Sequence, residues 1–140
     1  MDEPLTEELL AELRSSSSAD EYLTHHPSAT RILSDYLCEL LETHGRERKD
    51  VIRKAGIDQT YGYQLFTGAR KNPGRDKVLA LAFALGCSLR ETDRLLQAAG
   101  VSRLYVKERR DAIIVFCLDQ GSSLEETNEA LYHMNERTIG

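Results

Sequence analysis

At 140 residues, with 41% hydrophobic content, the chain suits one compact domain, or one domain with an appendage, and can bury a core. No stretch approaches the ~18 consecutive apolar residues of a membrane span. The acidic start MDEPLTEELLAELR lacks the basic, then apolar, layout of a signal peptide, so a cytoplasmic protein without membrane contact is expected. The net charge of −5 argues weakly against nucleic acid, but it hides an asymmetry. Residues 44–77 hold nine Lys/Arg against four Asp/Glu, a local +5, which leaves −10 for the remainder. An anionic partner sees such a patch more than it sees the total.

In chain order, nearly everything reads helical, and no run alternates in the manner of a strand. LTEELLAEL places Leu5, Leu9, Leu10 and Leu13 on one face of a short helix that SSSS at 15–18 breaks. Ser18 and Glu21 box a second short helix, which HHP at 25–27 ends. Ser28 can cap the next, where Ile32, Leu33, Tyr36, Leu37, Leu40 and Leu41 keep a 3.6-residue period until Gly45. A shorter helix over about 47–55 follows, with Val51, Ile52 and Ala55 as its apolar face. After the turn GID, another helix runs from about Gln59 to Phe66 and stops at Gly68. A largely apolar helix over Asp76 to Leu85 ends at Gly86, and Ser88 with Glu91 boxes the start of one that ends near Gly100.

The tail repeats this last unit. RDKVLALAFALGCSLRETDRLL begins at Arg75, and RDAIIVFCLDQGSSLEETNEAL begins at Arg110, an offset of 35. Each copy reads as an apolar helix, a glycine stop, a capping box and an amphipathic helix. A duplicated helical hairpin is therefore expected, and residues 101–137 should be folded. The chain divides into an N-terminal helical arm (1–28), a central domain (29–100) and a C-terminal helical hairpin (101–140), all-α throughout.

Within residues 46–86, a short helix, a glycine turn and a second short helix precede a basic bend and an apolar helix. Physically this is a helix-turn-helix, in which the first helix crosses the phosphate backbone and the second lies in the major groove. The stretch RKDVIRKAGIDQTYGYQLFTGARKNPGRDKVLALAFALGCSL also resembles the XRE (Cro and phage-repressor) helix-turn-helix family. The shared frame is a helix ending in Ala-Gly, a recognition helix, a glycine, a basic residue, NP, and an apolar helix closing with ALGCSL. It covers about residues 32–97.

The resemblance implies a five-helix, lambda-repressor-like domain, a bacterial transcription regulator and a homodimer on a double-stranded DNA operator. The family's base-reading places fall on Gln59, Thr60 and Gln64, and glutamine amides can bond bidentately to adenine. Arg48 falls where the family grips a phosphate. Lys49 lies beside it, and Arg70, Lys71, Arg75 and Lys77 surround the bend and can do the same. Tyr63 is a further base-side candidate, through sugars or thymine methyls, with core packing as its alternative. Tyr61 and Phe66 read as core. Two departures stand out. Gly62 occupies a place where the family has a branched apolar residue, and Tyr61 or Phe66 could fill the vacated volume. The bend GARKNPG is one residue longer than the family's spacing.

Other constellations are bland. Cys38, Cys87 and Cys117 are far apart in apolar contexts and read as reduced, buried thiols, with neither a disulfide framework nor a zinc site. His25 and His26 read as capping or surface residues, and His44 and His133 as surface residues. TGARKNPGR matches no phosphate-cradling loop. No nucleophile–base pair stands out, so no enzyme, cofactor or metal is expected. Ile113, Ile114, Phe116, Leu124, Leu131 and Tyr132 either form the dimer surface or cap the central core. A protein-interaction module that kept the fold, with a partner on the arm or the hairpin, is the alternative function. The acidic residues Asp2, Glu3, Glu7, Glu8 and Glu12 could also cover the basic patch.

Overall fold

Residues 32–140 are described by a computed structural model. The expected arm helices, the Ser18–Glu21 box, the Ser28 cap, His25, His26 and the acidic cover lie outside these residues. The described residues form seven helices and no strand. These are α1 (Leu33–His44), α2 (Arg48–Lys54), α3 (Gln59–Thr67), α4 (Arg75–Leu85), α5 (Leu89–Ala98), α6 (Arg109–Asp119) and α7 (Leu124–His133). No helix among them is long and apolar enough to cross a membrane.

The apolar periods become buried faces. Leu33, Tyr36, Leu37 and Leu40 of α1 are buried, and Gly45 stops the helix at φ 60°, a left-handed backbone that glycine adopts without a Cβ penalty. Ile32, expected on this face, instead takes the extended N-cap position and is 65% exposed. A residue just before the first turn does not share the helix's rotation. The α4 helix is buried continuously from Val78 to Leu85 and forms the axis of the core. It packs against α1, α2, α5 and α7. One core cluster runs from Leu33 to Ile139, so α6 and α7 share it with the rest.

The two 35-offset hairpins adopt matching local structures. Gly86 and Gly121 both take positive φ. Ser88 and Ser123 each accept from the backbone N–H three residues on, while Glu91 and Glu126 reach back to the N-cap N–H. Thr92 and Thr127 donate to the carbonyls of Ser88 and Ser123, both at 2.8 Å. Between the copies, the Arg-Asp pairs exchange partners. Arg75 grips Asp111 with two N–H···O bonds of 2.9 and 2.8 Å. Arg110 grips Asp76 at 3.1 and 3.3 Å. Arg110 also donates to the carbonyls of Arg137 and Thr138, and Asn128 exchanges two bonds with the Ile139 backbone. These bonds fasten the chain end, whose Ile139 is buried.

The six apolar residues offered as dimer surface or core cap divide. Ile113, Ile114 and Leu131 enter the core, Leu124 packs partly against it, and Phe116 and Tyr132 stay exposed. The thiols divide as well. Cys87 and Cys117 are buried and unbridged, whereas Cys38 is exposed, contrary to expectation, and its Sγ donates to the Phe66 carbonyl at 3.6 Å.

Candidate nucleic-acid interface

Two short helices and a bend build the candidate surface. In the turn after α2, Gly56 adopts φ 68°. Asp58 caps α3 by accepting the Tyr61 backbone N–H at 3.0 Å. Gly68 closes α3 at φ 89°, and the Arg70 N–H returns to the Gln64 carbonyl at 3.1 Å. Both ends of α3 are thus fixed by local bonds.

Gly62 explains how α3 sits on α2. It is buried, and a Cβ placed on it would lie 2.6 Å from Ile52 Cγ2 and 2.8 Å from Ile52 Cγ1. Ile52, from the preceding helix, therefore fills the space expected for Tyr61 or Phe66. The close approach sets the α2–α3 pair by packing, and the missing side chain is matched by a branched one across the turn. Phe66 is buried, as expected, and Tyr61 is half-buried against the core.

The candidate readers are not equivalent. Gln59 and Thr60 are exposed at the front of α3, one turn ahead of the half-buried Tyr63 and Gln64. Gln64 Oε1 accepts Arg70 Nε at 2.7 Å, which orients its amide. Arg48 lies over the Tyr63 ring at 4.7 Å from its centroid, while Arg70 and Lys77 lie over Tyr61 at 5.0 and 5.1 Å. Attraction between cation and ring face is worth about 0.5–1 kcal/mol at exposed sites. The two tyrosines thus position three exposed cations drawn from α2, the bend and α4. Lys49 and Lys71 are exposed on the same basic block.

Arg75 is a correction. Four of its N–H groups are occupied, two by Asp111 and two by the carbonyls of Ser102 and Arg103. Its pKa is raised by the Asp111 hydrogen bond, against the opposing effect of burial. A guanidinium held in this way is a structural clamp and leaves the set of phosphate contacts.

A second cluster lies at the junction of α1 and α5. His44 Nε2 meets Glu91 Oε1 at 2.9 Å, and these two groups and the Cys87 thiol supply atoms within 4.8 Å of one another. His44, expected as a surface residue, is only partly exposed here. Glu91 is held below the usual carboxylate range: desolvation raises it, but bonds from the Ser88 backbone and His44 outweigh that. Burial, helped by Glu91, pushes the Cys87 thiol up to about 12. A neighbouring cleft of about 560 Å³ is lined by Arg46, Lys54, Cys87, Ser123 and Glu126 among others. The sequence carried no signal for this cluster beyond residue type, because His44 is 47 positions from Glu91. No family model matches the chain, and no curated protein or solved structure matches it either.

Proposed function

We propose that this chain is a sequence-specific, DNA-binding transcription regulator that places α3 in the major groove of its operator. In this reading α1 to α5 make up the five-helix, lambda-repressor-like unit. The observation that carries it is the cation arrangement around α3. Arg48, Arg70 and Lys77 are held by aromatic faces on the flanks of a helix whose front presents Gln59 and Thr60 to solvent. Phosphate contacts at the flanks position such a helix, and polar side chains along it read base edges. Gln59, Thr60 and Gln64 are the readers, with Tyr63 at the edge of the groove. Arg48, Lys49, Arg70, Lys71 and Lys77 contact phosphates. The protein works as a cytoplasmic homodimer on two half-sites and represses by occupying its operator.

Selection of bound sequences from a random duplex pool, followed by binding at several salt concentrations, tests this. A palindromic consensus and a steep salt dependence are expected. Gln59→Ala should relax preference at one or two base pairs, at a cost of about 1–3 kcal/mol in discrimination. Lys77→Ala should weaken all sequences alike and lower the salt slope by about 1. No enrichment, together with Arg48→Ala and Arg70→Ala variants that bind like the parent, defeats the reading.

A protein-interaction module is the second reading, favoured by Phe116 and Tyr132, which are 65% and 73% exposed on the C-terminal hairpin. Gly62 lends it no support, since the packing of Ile52 accounts for that glycine.

A further inference from the structure

His44, Cys87 and Glu91 belong to none of the DNA-reading features. His44 lies in the last turn of α1, Cys87 immediately precedes the Ser88 cap of α5, and Glu91 is the third residue of that helix. We propose that these three side chains bind a borderline-soft divalent cation of the zinc class, with water as the fourth ligand, tying the end of α1 to the start of α5. This inference is independent of the proposed DNA reading.

The donor set selects the ion. One imidazole nitrogen, one thiolate sulfur and one carboxylate oxygen suit zinc, whereas calcium and magnesium take oxygen donors alone. Tetrahedral bonds of about 2.0–2.3 Å put ligand atoms roughly 3.5 Å apart. The three atoms here lie within 4.8 Å of one another, with His44 and Glu91 at 2.9 Å. Side-chain adjustments of about an ångström suffice to reach that geometry. The charges close as well, because a thiolate and a carboxylate neutralise a divalent cation. That matters where Cys87 is buried and the other two are mostly covered.

The helix cap survives binding. The Ser88 N–H and His44 bonds both end on Glu91 Oε1, so neither occupies Oε2, and coordination through that oxygen would keep the capping bond. The His44–Glu91 contact gives way to shared coordination. Cys87 also lines the 560 Å³ cleft, which adjoins the site on the side of the thiol. On binding, the Cys87 thiol releases its proton to solvent and coordinates as thiolate, while His44 binds as neutral imidazole. Zinc affinity therefore climbs about tenfold per pH unit while the thiol remains protonated in the metal-free protein.

The test titrates the full chain, carrying Cys38→Ser to remove the exposed thiol, with Co²⁺ and then Zn²⁺. A thiolate-to-cobalt absorption band that saturates at one equivalent and is displaced by zinc is expected, along with a zinc-dependent rise in melting temperature. Cys87→Ser should abolish the band. His44→Ala and Glu91→Gln should each weaken zinc binding at least tenfold, about 1.4 kcal/mol. Glutamine also serves at this position of a capping box, so a loss of affinity in Glu91→Gln is not a loss of fold. The absence of a band overturns the proposal, as does a band that survives Cys87→Ser. Unchanged affinity in both His44→Ala and Glu91→Gln overturns it too. A purely structural His44–Glu91 pair would lower the melting temperature when cut and bind no cobalt.

Discussion

The α4–α5 and α6–α7 hairpins carry nearly the same instructions and meet different fates. Both start at Arg-Asp, stop an apolar helix with a left-handed glycine and open the next with a serine–glutamate box. In the first, every residue from Val78 to Leu85 is buried, while in the second Phe116 is 65% exposed. Local chemistry thus sets the shape of a hairpin, and its neighbours decide how much of it is core. The α4 helix is enclosed by α1, α2, α5 and α7, whereas α6 packs chiefly on α7 and α5. The ion pairs repeat the lesson. Asp111 is 4% exposed and bonded to Arg75 and the Tyr105 N–H, while Asp76, its counterpart, has a side chain 28% exposed.

Substitutions can break this comparison. The largest effect is expected at the clamp. Arg75→Ala strands a buried carboxylate and should cost about 3–5 kcal/mol in urea unfolding. Asp76→Ala leaves Arg110 its two carbonyl partners and should cost less. Equal losses would show that the two pairs are energetically alike. In the Arg75→Ala/Asp111→Ala double variant, part of the loss should be recovered, measured as a coupling energy.

Next comes the α2–α3 contact. Gly62→Ala should destabilise by about 1–3 kcal/mol, because the new methyl meets the branched part of Ile52. In an Ile52→Ala background the same change should stabilise by up to ~1 kcal/mol, the helix preference of alanine over glycine. A cost that stays the same in both backgrounds would refute the packing account.

The hairpins should look most alike at their caps. Ser88→Ala and Ser123→Ala should each cost about 1 kcal/mol. A marked inequality would show that the surroundings of a cap outweigh its own two bonds.

The smallest effect near neutrality concerns Cys87. Its thiol is raised from 9.0 to about 12 in the folded state, which therefore holds the proton more tightly than the unfolded chain does. That contribution is fully present below pH 9 and is lost as pH rises from 9 towards 12. Urea midpoints of wild type and Cys87→Ala should converge between about pH 7 and pH 10. A constant gap would contradict the shift.

What could be read in advance follows from range. Gly45, Gly68, Gly86, Ser88 and Ser123 act on residues within about one turn, so the helix ends and caps they set were legible within one or two positions, whereas α1, expected to follow a cap at Ser28, has Ile32 as its N-cap. The 35-residue offset made the second hairpin legible before any contact was known. Partner identity over long range was not. Arg75 shows only its charge in the sequence, and nothing there points to a carboxylate 36 positions away. Gly62 announced a vacated volume without naming the Ile52 that fills it, since neighbours in sequence and neighbours across a turn are equally able to do so. His44, Cys87 and Glu91 each looked ordinary alone. At the candidate interface, residue type and charge pattern were visible, whereas the stacking of Arg48, Arg70 and Lys77 on two tyrosines arises only when α2, the bend and α4 come together around α3.

The exchange of partners between the two Arg-Asp pairs has one more consequence. Position one of each copy meets position two of the other, and the reverse, which is the contact rule of an isologous, two-fold interface. Two separate molecules of a single hairpin could form the same pair of bridges. Here the two halves are joined by covalent chain, so association needs no second molecule and is independent of concentration. The fold holds an internalised dimer of hairpins.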